Sequence, residues 1–214
     1  MGLPSCGPVP GDDRLMISTW CMRAALAGLL ALLLPTGAFA QDGAMTFRLA
    51  AAPGCRGTCP PEIVADGLIT LDSPDAFRAL AETLRPAPIA VRLNSPGGNL
   101  VGGLRLGQAL RDLGATVTVG KGARCVSACA YTFLGGTARR VAAGGRIGVH
   151  RFYDGTGDNE DFPDVLVQRT IEILNEYVAK MGADPDLVRL ALSVTPPALR
   201  YLDAAELRRY RVVN

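Results

Sequence analysis

Histidine is almost absent: His150 is the only one in 214 residues. Lysine is nearly as scarce, with only Lys121 and Lys180. Long runs of one charge are missing as well. The 22 basic and 20 acidic residues are interspersed and leave a net charge of +2, so there is no basic stripe to suit a nucleic-acid partner. No C-x-x-C spacing occurs, which with a single histidine argues against a structural zinc site. No internal repeat is evident. Beyond the first 40 residues no hydrophobic run reaches the ~20 residues needed to span a bilayer. The expectation is no stable membrane insertion, no metal and no cofactor.

What is present begins with a leader. Arg23 precedes an apolar run from Ala24 to Leu34, followed by Pro35 and by Ala38-Phe39-Ala40 before Gln41. A basic head, an apolar stretch and a small-x-small site read as a secretory signal peptide over residues 1–40. A membrane anchor is the alternative, but the run is short for one. Met16 and Met22 are candidate starts, because Asp12 and Asp13 spoil the basic region of the longer leader. Cleavage leaves a chain expected to be periplasmic or secreted. It keeps four cysteines, Cys55/Cys59 and Cys125/Cys129, each pair spaced C-x-x-x-C. In an exported chain four cysteines favour disulfides, with three possible connectivities.

The domain reading is a Cys-tethered irregular segment over 41–62 and one domain over 63–214. Residues 63–71 alternate weakly and suit a strand or hairpin. Ser73-Pro74-Asp75 opens a helix over 74–85, ended by Pro86 and Pro88. Residues 89–93 suit a buried strand, 94–98 a turn, and 100–113 a helix closed by Gly114. Thr116–Gly120 is a β-branched strand, 126–134 a small apolar helix, and 146–152 a strand with His150 near its end. A stripe of Val167, Ile171, Leu174, Val178 and Met181 predicts a long amphipathic helix, with an oligomer seam as the alternative to core packing. Helices over 184–194 and 203–210 follow. Strands alternating with helices imply βαβ units with a parallel sheet.

Ser127 stands at a helix start, where a hydroxyl is ordinarily an N-cap. His150 follows on what should be a neighbouring strand, and strand ends in parallel sheets converge on one edge, where sites form. Asn94-Ser95-Pro96-Gly97-Gly98 makes a turn with free N–H groups beside a helix N-terminus, a place to stabilise an oxyanion. Cys125 and Cys129 bracket the serine. They are either a structural disulfide, to each other or to Cys55/Cys59, or a redox-sensitive clamp on its backbone.

These segments carry a resemblance. Leu93-Asn94-Ser95-Pro96-Gly97-Gly98, Val126-Ser127-Ala128-Cys129-Ala130, Ile147-Gly148-Val149-His150 and the tail from Tyr201-Leu202-Asp203 through Tyr210 stand in the order and spacing of the Clp protease proteolytic subunit. Within that family the chain looks closest to secreted ClpP-like proteins. The resemblance covers about residues 63–213. It implies an α/β fold, the ClpP/crotonase-like superhelix of ββα units. It implies Ser127 as nucleophile, His150 as general base, and Gly98 and Ala128 as oxyanion-hole donors. Residues 164–181 would match the family's ring-stacking handle, hence a possible homo-oligomer. The family's third member, an aspartate, falls at Leu199 here, and Asp203, Asp161 and Asp164 are the nearby acids that could substitute. The Ser–Lys variant of related signal-peptide peptidases finds no lysine at a matching position.

The reading is therefore a secreted, ATP-independent serine peptidase acting on peptides or unfolded protein. A catalytically inactive binding or scaffold protein is the alternative. Acyl-CoA chemistry of the crotonase type is disfavoured by export and by the lack of an acidic pair in the pocket segments.

Overall fold

Alternation of apolar and polar side chains sets the central strands. In β3 (Ala90–Asn94) Val91 and Leu93 are buried while their neighbours are half-exposed, and in β4 (Thr116–Val119) Val117 and Val119 repeat the pattern. A strand of period two hides one face and shows the other. The computed structural model describes residues 43–51, 54, 61–153 and 163–214; the leader, Cys55, Cys59 and Asp161 lie outside them. The chain divides into two units, Met1–Phe39 and Ala40–Asn214, and all the described structure belongs to the second.

Five strands form the larger sheet, in the order β1 (Thr46–Ala51), β2 (Pro61–Asp66), β3, β4 and β6 (Ala138–Val141). Only the β1–β2 pair is antiparallel; the rest run parallel. Residues 46–51, expected to be irregular, are thus an edge strand. A second sheet, absent from the sequence-based expectation of one sheet, joins β5 (Arg124–Val126), β7 (Arg146–Val149) and β8 (Arg200–Tyr201). β5 and β7 are parallel, and β8 returns antiparallel to β7. From β4 onward the chain therefore repeats a unit: one strand for each sheet, then a helix. β4, β5 and α3 (Ala128–Leu134) make the first such unit; β6, β7 and α4 (Asp164–Lys180) make the second.

Helices α1 (Ser73–Glu82), α2 (Leu100–Asp112), α3, α4 and α5 (Asp186–Leu192) lie within a residue or three of their predicted bounds, and α6 (Ala204–Arg209) ends the chain's regular structure. Phe77, Leu106, Leu110, Phe133, Leu174 and Leu187 fill the core between helices and sheets. The apolar stripe of α4 turns Leu174, Val178 and, just beyond the helix, Met181 into that core. No helix among the described residues is long and apolar enough to cross a membrane.

Two packing details position the site. Helices α2 and α3 approach backbone to backbone through glycine: a Cβ on Gly103 would sit 2.9 Å from the Ala128 carbonyl, and one on Gly135 would strike the Gly107 main chain. Behind them Arg139, only 2% exposed, has no carboxylate partner among the described residues. Its guanidinium donates instead to the carbonyls of Leu134, Gly136, Met181, Arg211 and Val212. Carbonyls at helix C-termini carry partial negative charge, so this cation satisfies the ends of α3 and α4 together. Burial, with Arg111 nearby as a second cause, lowers the Arg139 pKa to about 10.

Candidate active site

The link between the two sheets builds the site. At the end of β3, Ser95 leaves the large sheet and bridges to Cys125 of the small one: its N–H donates to the Arg124 carbonyl at 2.7 Å, and its carbonyl accepts from Val126 at 3.1 Å. The Ser95 hydroxyl lies 3.1 Å from the N–H of Gly97, which it accepts. Gly97 and Gly98 then take φ of 112° and 128°, a region only glycine enters freely. Space enforces glycine as well. A Cβ on Gly97 would lie 2.8 Å from the Ser127 Cβ, and one on Gly98 would strike the Ile69 backbone.

Gly98 bridges Ile69 in parallel fashion, with Ile69 N–H donating to Gly97 and Asn99 N–H donating to Ile69, each at 2.8 Å. In such a bridge the polar groups of Gly98 itself face the opposite side. Asn99 ends the turn as the N-cap of α2, its side chain accepting the Gly102 N–H at 2.8 Å.

Ser127 occupies the junction between β5 and α3. Although it holds the N-cap position, its side chain makes no capping hydrogen bond. Its backbone has φ 57° and ψ −124°, a strained conformation for a residue with a Cβ, costing about 1–3 kcal/mol. Sharp strand-to-helix turns of this kind push a side chain out of the chain's path. Within the β5–β7 ladder Val126 pairs with Gly148, and Ser127 N–H donates to the Gly148 carbonyl at 2.9 Å. Ser127 and His150 thus leave neighbouring parallel strands on the same side. Among the described residues no acceptor takes the N–H of Gly98 or of Ala128, the first residue of α3.

A cleft of about 970 Å³ contains Ser127, His150, Gly98 and Ala128. Its walls are largely apolar, from Leu100 and Val101 on α2, Tyr131 on α3, Ile173 on α4, and Phe152 and Tyr153 after β7. Burial pushes the Tyr131 hydroxyl well above the usual tyrosine range. The wall from α4 was missed from sequence, since the exposed Ile173 lies beside the core stripe rather than in it. A groove of about 860 Å³ lies elsewhere, along β1 to β4, lined by Arg48, Glu62, Asp66, Arg92 and Lys121. It holds neither Ser127 nor His150, and its charges partly pair, with Arg92 2.8 Å from Glu62.

Of the candidate third members, Asp203 caps α6: its carboxylate accepts the Glu206 N–H at 2.8 Å, and Glu206 reciprocates to the Asp203 N–H at 3.0 Å. Asp164 is the exposed first residue of α4. Leu199 precedes β8, and extending the Val149–Arg200 register by one residue sets it across from His150. The ring nitrogen Nδ1 of His150 lies 2.7 Å from the main-chain carbonyl of Arg151. No feature of the sequence could have announced that partner, since every residue has a carbonyl. Cys125 and Cys129 form a disulfide with Cα atoms 5.1 Å apart, closing a ring around Ser127 and Ala128. Both half-cystines are fully buried.

The fold has counterparts among solved structures. The 1510-N membrane-bound stomatin-specific protease, as a serine-to-alanine mutant, matches with a TM-score of 0.53 at 22% identity, covering 69% of this chain and 73% of its own. A lysine-to-alanine mutant of the same protease, in complex with a substrate peptide, gives a TM-score of 0.54 at 22% identity over 69% of each chain. ClpP1 from Listeria monocytogenes, as an asparagine-to-aspartate mutant, gives 0.52 at 19% identity over 69% of this chain and 85% of that one. The fold is ClpP-like. No family model and no curated protein matches the sequence. At these identities the ClpP-like fold is what the chain shares with its neighbours. Neither lysine of this chain lines the cleft: Lys121 belongs to the charged groove and Lys180 ends α4.

Proposed function

We propose that the protein is an exported, ATP-independent serine peptidase that cleaves peptides or unfolded segments. The observation that carries the reading is the β5–β7 register, which delivers Ser127 and His150 to one cleft beside two N–H groups that find no acceptor among the described residues. The Ser127 hydroxyl attacks the peptide carbonyl carbon and passes its proton to Nε2 of His150. The N–H groups of Gly98 and Ala128 stabilise the oxyanion. His150 then protonates the leaving amine, and water, deprotonated by the same ring, hydrolyses the acyl-enzyme ester. Support also comes from the neighbour solved with a substrate peptide, and from the leader and cysteine usage for export.

A fluorophosphonate probe tests the nucleophile. Covalent labelling is expected on the peptide containing Ser127 and is expected to vanish in Ser127→Ala. Labelling that survives this substitution overturns the assignment, and no labelling of the native protein leaves a binding protein with a peptide-sized cleft.

Gly98→Ala tests the oxyanion donor. A Cβ at φ 128° meets the Ile69 backbone, so the turn must shift and carry the N–H with it. The expected loss in kcat is about 10²–10³-fold, the usual cost of one oxyanion donor, measured on a peptide substrate. An unchanged kcat would remove Gly98 from the mechanism.

A further inference from the structure

We infer that the main-chain carbonyl of Arg151 is the positioning group of His150, standing where a serine peptidase ordinarily has a carboxylate. The inference rests on the Ser127–His150 reading and deepens it. A carbonyl oxygen only accepts, so the 2.7 Å contact with Nδ1 requires the proton on Nδ1. That leaves the lone pair on Nε2, the nitrogen needed to take a proton from the Ser127 hydroxyl. Neutral histidine in water prefers the other tautomer, so the contact selects the form a general base requires.

The residue that carries the carbonyl is anchored on its other side: Arg151 N–H donates to the Val194 carbonyl at 2.8 Å, tying the peptide that joins His150 to Arg151 to the turn after α5. Tyr153 sets its ring 5.6 Å from the imidazole, tilted by 39°. Across the β7–β8 register stands Leu199, which offers no carboxylate to compete for Nδ1. Asp203 spends its carboxylate on α6. A carbonyl dipole orients the ring as a carboxylate does, but it stabilises the imidazolium less, because it carries no net charge. Turnover then leans on the oxyanion donors.

A single histidine makes the test direct. With 15N-labelled histidine, a long-range 1H–15N spectrum of the neutral ring is expected to show one Nδ1-protonated form. A Nε2-protonated ring, or an even mixture, overturns the role. Replacing Phe152 by its α-hydroxy analogue converts the amide after Arg151 into an ester, a poorer acceptor. The expected result is a kcat roughly 3- to 10-fold lower at unchanged KM, with Nε2–H signal appearing; an ester that changes neither overturns the role as well. Probe labelling at Ser127 alongside a Nε2–H ring would defeat this inference and spare the peptidase reading. An Nδ1–H ring in a protein that never labels would spare the carbonyl's hold and defeat the peptidase reading.

Discussion

His150→Ala is expected to lower kcat for peptide cleavage by about 10⁴- to 10⁶-fold, the range seen when a serine peptidase loses its base. The described residues of the cleft offer no substitute. There is no second histidine, and both lysines lie outside the cleft. Tyr131 borders the cleft, but burial pushes its hydroxyl further from ionisation. The ring is half-buried, and its one hydrogen-bond partner among the described residues is a neighbouring main-chain carbonyl, so the melting temperature should move by only a few degrees, the ordinary shift for about 1 kcal/mol. Paired measurement of kcat and thermal unfolding separates the two effects. A variant that keeps more than a tenth of native kcat would show that the ring takes no proton from Ser127.

Arg139→Leu is expected to cost about 3–5 kcal/mol of stability, toward the low end of about 1–3 kcal/mol for each of three buried carbonyls left without a donor. Leucine fills part of the volume but leaves the carbonyls of Gly136, Arg211 and Val212 without the donor they have now. Leu134 and Met181 keep a second donor in Arg111, which is why the loss falls short of five broken bonds. Urea unfolding gives the magnitude. Hydrogen exchange gives the place, with protection expected to fall first at Val212, whose N–H donates to the Leu207 carbonyl. Arg139→Lys should recover little, since an ammonium cannot present the planar fork that reaches several carbonyls at once. A loss under 1 kcal/mol for Arg139→Leu would mean that water replaces the guanidinium.

Much of the fold was legible where side chains repeat. The apolar run over 89–93, the β-branched run of β4 and the stripe of α4 each announce their element, although β3 proves to bury only one face. The small sheet was not legible. β5 has three residues and β8 two, too few for a pattern, and each exists because β7 lies beside it. Arg124-Cys125-Val126 therefore read as the edge of a turn and a helix. Arg139 was hidden for a related reason. Ala-Arg-Arg-Val looks like a solvated strand, and only the convergence of α3, α4 and the C-terminal segment makes one of those arginines internal. Ser127 and the glycine turn were legible as a type of chemistry. Their meeting was not, because it depends on Ser95 stepping from one sheet to the other.

The glycine contact between α2 and α3 reaches further than packing. The proposed donors, Gly98 and Ala128, sit at the starts of these two helices, so the gap between their N–H groups is a distance between two rods. Gly103 and Gly107 on one rod and Gly135 at the end of the other determine how near the rods lie. The calibration of the site is therefore kept one to two turns away from it, in residues that touch no substrate. A single methyl group at Gly103 would spread the rods and detune a pocket it never borders.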